Sequence, residues 1–352
     1  MIALPNHIDA ILIMNISIEK SNYLKGIAII LMLVHHLFAF PDRINPDVTV
    51  KYIAMLPGTG MYIETYIGLF GKICVSMFLF LSGYGFSLRR EVSVKYIYGK
   101  LKNLYISYWL VLFIFFSIGI VFYPGARFST SIPTFLENFI GIKSTYNGEW
   151  WFFKLYVLYV LSLPLFVRLN NYTILVIVFL GTGIGKVLSG YDFVPSFITD
   201  YLVWLLPFGL GIVFGRAGDF PENSFVSKVL SKVNGVHAIW LFILTIIAFV
   251  GGKSLGLMLV TPFFILALVK VSDRSNAKVN GVISELGRNS MYMWLTHTFY
   301  CYHFAPKVIY YPEYTPLILI LLIVVSYLTS LVLTRIEQFI KRPFAVKTNS
   351  AG

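Results

Sequence analysis

The chain has 352 residues, of which 57% are hydrophobic and 12% charged, and its formal net charge is +12. A soluble domain carries roughly 25% charged residues, so this composition excludes a soluble globular protein and points to one embedded in a membrane. The basic excess lies beside apolar segments, where topology and anionic lipid account for it, so no nucleic-acid partner is expected.

The first 21 residues hold a weak apolar run, Ile8–Ile18, with Asp9 and Glu19 beside it. It lacks a basic leading region, so it does not read as a signal peptide, and Met14 offers an alternative start. Segments long enough to cross a core of about 30 Å then follow near 23–40, 66–86, 103–123, 150–167, 172–189, 197–215, 236–252, 255–271, 289–305 and 314–334. The expected fold is an all-α polytopic bundle of about ten transmembrane helices. Its divisions are a short N-terminal segment (1–21), one transmembrane domain (22–340) and a polar C-terminal tail (341–352). The longest gaps, 41–65 and 124–149, read as ordinary loops. Aromatic residues, 17% of the chain, suit lipid contact and interfacial belts.

Basic residues set the orientation. Taking the termini and alternate loops as one side, 19 Lys and Arg fall there, 7 fall on the other side, and Lys72 and Lys154 lie inside spans. The richer side faces the cytoplasm, which places both termini inside.

Along the chain, the first span carries Lys25 and, eleven residues on, the pair His35-His36. Ionisable groups are costly in hydrocarbon and mark sites there. At 100° per residue Lys25 and His36 share a face, about 16 Å apart along the axis, while His35 points about 80° away. The second span holds Lys72 and ends Phe78-Leu-Phe-Leu-Ser82-Gly83-Tyr84-Gly85, where the glycines permit close helix approach and Ser82 can bond across helices. Arg89, Arg90, Lys95, Lys100 and Lys102 follow, a basic stretch suited to phosphates and equally to fixing topology. The fourth span opens Asn147-Gly-Glu149-Trp150-Trp151-Phe-Phe-Lys154. Glu149 is a site-lining candidate, both tryptophans read as interfacial anchors, and Lys154 either faces a cavity with His36 and Lys72 or snorkels outward. In the ninth span, after Arg288, His297 sits near mid-membrane among Tyr, Thr and His residues, and this helix belongs inside the bundle; His303 reads as packing glue.

Cys74 and Cys301 lie in spans and offer neither disulfide framework nor metal spacing. There is no Walker loop, zinc His-Glu-x-x-His or Gly-x-Ser-x-Gly elbow. The run Gly181-Thr-Gly-Ile-Gly185 is intramembrane, with no strand before it, and no repeat relates the two halves.

These residues together resemble the acyltransferase 3 family of bacterial membrane O-acyltransferases. The features that match are Lys25 with His36 at their spacing, the aromatic run ending Ser82-Gly83-Tyr84, the basic loop after it, the Trp150–Phe153 start of a middle span, and Leu286-Gly287-x-x-Ser290 leading to His297. The likeness runs from about 20 to 340. One position departs: where many members carry an acidic residue six places before the Ser-Gly serine, this chain has Ser76. The resemblance implies a stand-alone member of the bacterial inner membrane, without metal, that moves an acyl group, usually acetyl, from cytoplasmic acetyl-CoA to a hydroxyl of a surface or lipid-linked carbohydrate such as O-antigen or capsule. His36 would be the general base, assisted by His35, or would carry an acetyl-imidazole relay. Lys25, Arg89, Arg90, Lys100 and Lys102 would hold CoA; Lys72, Ser82, Glu149, Trp150, Lys154, Arg288 and His297 would line the site. The competing reading is a secondary transporter or carbohydrate flippase with a His-lined midplane site.

Overall fold

The computed structural model describes residues 14–89 and 91–345. The expectations for the run before Met14, for Arg90 and for the end of the tail lie outside these residues. The described chain forms helices α1 (Ile18–Phe38), α2 (Ile63–Gly71), α3 (Ile73–Ser87), α4 (Val94–Phe122), α5 (Ile132–Phe139), α6 (Trp151–Arg168), α7 (Asn171–Leu188), α8 (Ser196–Val203), α9 (Leu205–Gly215), α10 (Phe225–Gly235), α11 (Ala238–Ser272), α12 (Ala277–Arg288), α13 (Ser290–Thr298), α14 (Pro306–Ile309) and α15 (Thr315–Ala345). The structure is 77% helical, with no strand among the described residues. In hydrocarbon every backbone N–H and C=O must be bonded within the protein, which helices achieve segment by segment.

Among the described residues, eight stretches are long and apolar enough to cross a bilayer, and two differences explain the gap from ten. The segments expected at 236–252 and 255–271 form the single element α11, but Lys253 breaks it with φ 46° and ψ −127°. A Cβ on Gly256 would meet the carbonyl of Ala248, a contact only a reversed chain allows, so α11 is two helices joined almost without a loop. The segment expected at 289–305 is short α13 followed by a π-helical turn, Phe299–Phe304, so neither part reaches spanning length alone. Helix α4 also begins nine residues before the expected span, carrying Lys95, Lys100 and Lys102 on its exposed first turns.

The chain divides into two compact units. The first comprises the described residues of Met1–Ala28 with Ile73–Ser93 and Leu161–Gly287. Its centre is the contact of α3 with α9, set by glycines: a Cβ on Gly83 would strike the carbonyl of Phe208, and one on Gly211 the carbonyl of Phe80. Gly85, by contrast, faces open space. Ser82 donates to Phe78 O of its own helix at 2.8 Å. The hydroxyl expected to bond across helices is thus used locally, a common resolution for serine in an apolar helix.

The second unit comprises Ile29–Lys72, Val94–Val160 and the described residues of Arg288–Gly352. Helix α2 lies against the end of α1, where Gly68 and Gly71 leave no room for a Cβ beside Ala39 N and Leu31 O. Near the start of α13, Glu337 of α15 accepts from Tyr292 OH at 2.7 Å and Ser107 Oγ at 3.1 Å and pairs with Lys341 at 2.6 Å, joining α13, α4 and α15. On the outer surface of α15, Leu317, Ile320, Val324 and Leu328 are exposed at helical spacing. Such an apolar stripe is what lipid covers. The protein is a multi-pass membrane protein.

Candidate active site

Three of the second unit's four histidines come together. His35 and His36 occupy the last turn of α1, and His297 the last turn of α13. The rings of His36 and His297 lie 4.9 Å apart, centroid to centroid, and those of His35 and His36 5.1 Å. All three side chains are buried.

Glu149 joins them. Its Oε2 stands 3.5 Å from His36 Nε2 and its Oε1 3.7 Å from Arg43 Nη1. Exposure rises along this series of side chains: 8% for His36, 18% for Glu149 and 49% for Arg43. The cluster therefore opens toward Arg43, whose guanidinium also lies 4.2 Å above the Phe40 ring, a cation–π contact. Arg43 closes the short turn Pro41–Arg43 directly after α1.

Local structure explains the placement. Asn147 caps the turn Gly148–Trp150 by accepting from Glu149 N at 3.1 Å. Its amide also receives Thr298 Oγ1 at 3.0 Å and reaches Leu295 O at 3.5 Å. Trp150 Nε1 donates to the same Leu295 carbonyl at 3.0 Å. The start of α6 is thus pinned to α13, and Glu149 is carried to the imidazoles. Trp150 is fully buried. The interfacial role expected for it is replaced by a hydrogen bond inside the protein, because an indole N–H in a dry interior needs a partner.

The end of α1 is fixed from the opposite side. Tyr302 OH donates to His36 O, and Tyr310 OH to Leu37 O at 3.4 Å. These are terminal helix carbonyls that lack an intrahelical partner. His35 Nδ1 lies 2.7 Å from Gly68 O. A carbonyl only accepts, so His35 carries its hydrogen on Nδ1 and ties α1 to α2.

Residues 18–335 match the family model described as an acyltransferase domain. The chain belongs to the acyltransferase 3 family. No curated protein and no solved structure matches it. As a member of that family it is a membrane acyltransferase.

The sequence-derived candidates of this acyltransferase fall into two groups. His35, His36, Glu149, Trp150 and His297 converge in the second unit. Lys72 ends α2, next to the glycine lying on His35. Lys154 reaches Ile142 O at 3.4 Å. Lys100 and Lys102 stand exposed near the start of α4, with Lys100 Nζ 5.7 Å from the Tyr96 ring. Lys25, Ser82 and Arg89 belong to the first unit, and Arg288 opens the last segment of the second, exposed. Sequence reasoning missed Arg43, which counted only as a loop charge, and Tyr302 and Tyr310, which were lost in an aromatic-rich stretch. The signal for Arg43 was its place seven residues after His36, just beyond the span.

Proposed function

We propose that this acyltransferase moves an acyl group, acetyl in the simplest case, from acyl-CoA to a hydroxyl of a cell-surface or lipid-linked carbohydrate, with His36 as general base. The observation that carries this is the buried His36 set against Glu149, with Arg43 as outer counter-charge. A sugar hydroxyl is a poor nucleophile and needs a base as it attacks a thioester. The hydroxyl oxygen bonds the carbonyl carbon while its proton passes to His36 Nε2 and the carbonyl electron pair moves onto oxygen. A nearby cation, for which Arg43 is available, or a backbone N–H stabilises that oxyanion. Collapse breaks the C–S bond, and the CoA thiolate takes the proton back from the imidazolium. Glu149 faces the nitrogen that becomes positive, so its charge stabilises the transition state more than the ground state.

The donor is assigned to the basic side, where Lys25, Arg89, Lys100 and Lys102 suit the phosphates of CoA, with Arg offering a bidentate fork. The acceptor is assigned to the side of Arg43, and the enzyme to a bacterial inner membrane. The test is purified protein in detergent with radiolabelled acetyl-CoA and extracted bacterial glycans. Label moving to glycan is the expected result. Glycan crossing a proteoliposome membrane without taking up label would replace the enzyme by a flippase.

A further inference from the structure

We infer that His297 is a positioning residue that fixes which nitrogen of His36 carries the hydrogen. This rests on the reading of His36 as the base. The argument begins with His297 itself. Its Nδ1 lies 2.8 Å from Trp294 O and 3.2 Å from Met293 O. Both are carbonyls of its own helix and only accept, so Nδ1 bears the hydrogen and Nε2 bears a lone pair. That Nε2 is buried without a hydrogen-bond partner, and so is His36 Nδ1. The two unpartnered nitrogens belong to neighbouring rings, whose centroids lie 4.9 Å apart. A linear N–H···N bond of about 3 Å, between nitrogens each roughly 1.1 Å from its ring centre, requires centroids about 5 Å apart. The rings therefore stand at the separation of such a bond, and turning toward one another completes it.

Two tautomers of His36 are to be compared. With hydrogen on Nε2, His36 Nδ1 and His297 Nε2 are two buried lone pairs side by side, both unsatisfied. With hydrogen on Nδ1, one is a donor and the other an acceptor, and each satisfies its neighbour. Glu149 opposes this choice, because a carboxylate 3.5 Å from Nε2 favours a hydrogen there; but that separation exceeds the usual hydrogen-bond range of about 2.7–3.2 Å and Arg43 faces its other oxygen, whereas hydrogen on Nδ1 satisfies two buried atoms at once. With hydrogen on Nδ1, the lone pair of His36 lies on Nε2, toward Glu149 and the more exposed side, where a hydroxyl proton arrives. Division of labour follows. His297 sets the tautomer, Glu149 stabilises the imidazolium, and His36 moves the proton.

The experiment is ¹⁵N NMR of the full chain in nanodiscs, labelled at histidine, with the His36 signals assigned by their loss in His36→Gln. Two-bond ¹⁵N–¹H couplings report which nitrogen is protonated. Wild type is expected to show His36 with hydrogen on Nδ1. His297→Leu, which has no acceptor, should move it to Nε2 and lower kcat by about 100-fold at an unchanged Michaelis constant for acetyl-CoA. His297→Gln, whose Oε1 restores an acceptor, should keep the wild-type tautomer and most of kcat. Hydrogen on Nε2 in wild type overturns the inference, and so does a His36 tautomer indifferent to His297→Leu. If the leucine variant does not fold, the wild-type spectrum and the glutamine variant decide alone. The spectrum needs no substrate, so absence of acetyl transfer by wild type would remove the proposed function while leaving the tautomer result standing.

Discussion

Replacing Glu149 with Gln removes one charge and almost no volume. The capping bond from Glu149 N to Asn147 uses the backbone and survives, so the start of α6 and its attachment to α13 are retained. What is lost is the field at His36. A unit charge 3.5 Å from the protonated nitrogen contributes about 5 kcal/mol at an effective dielectric constant near 20. Arg43, 3.7 Å from the other carboxylate oxygen, offsets part of this, and hydration at the partly exposed side screens more. Half the bare value, about 2–3 kcal/mol, raises the barrier enough to slow the chemical step about 30- to 150-fold. The assay is transfer of labelled acetyl to glycan by wild type and Glu149→Gln in nanodiscs at matched protein, with kcat and the Michaelis constant for acetyl-CoA measured separately. The constant should hold and kcat should fall by that factor. A Glu149→Gln enzyme within threefold of wild-type kcat would refute the electrostatic role.

His36→Ala should lose about 10²–10⁴ in rate, the worth of a positioned general base, while His35→Ala, whose Nδ1 serves Gly68, should lose less and mainly through packing; both are compared by glycan acetylation in cells lacking the native protein. Alkaline phosphatase fused after Thr145 should be active and after Lys232 inactive, as the 19-to-7 distribution of basic residues requires; the opposite pattern reverses the orientation. Arg89→Gln should raise the Michaelis constant for acetyl-CoA while leaving protein in the membrane, and an unchanged constant would leave Arg89 a topology anchor. Gly83→Ala should cost about 1–3 kcal/mol through overpacking against Phe208, whereas Gly85→Ala, facing open space, should be neutral. A thiol-reactive dye reads this directly, since Cys74 and Cys301 are both buried and react only on unfolding.

Hydropathy made the spans legible, because length and apolarity are local properties of the sequence. The reversal at Lys253 was legible too, since it falls between the two spans read at 236–252 and 255–271, directly after Gly251-Gly252, a pair that marks turns. Helix arithmetic placed Lys25 and His36 on one face, since both lie on α1. It could not place Glu149, His297 or Arg43 around His36, because those contacts join segments more than a hundred residues apart, or cross from a span into a loop. Trp150 shows the same limit: a tryptophan at a predicted membrane edge and one hydrogen-bonded to Leu295 O have identical local sequence.

The bonds from His297 Nδ1 to Met293 O and Trp294 O make part of this centre out of main chain. No side-chain replacement at residues 293 or 294 deletes those carbonyls, so a scan of point variants across α13 would pass over the atoms that orient the ring. The same carbonyls accompany any sequence that forms a helix here, so the imidazole orientation is inherited from helicity itself. Drift in the surrounding side chains can proceed without disturbing it, provided the helix persists and position 297 remains histidine.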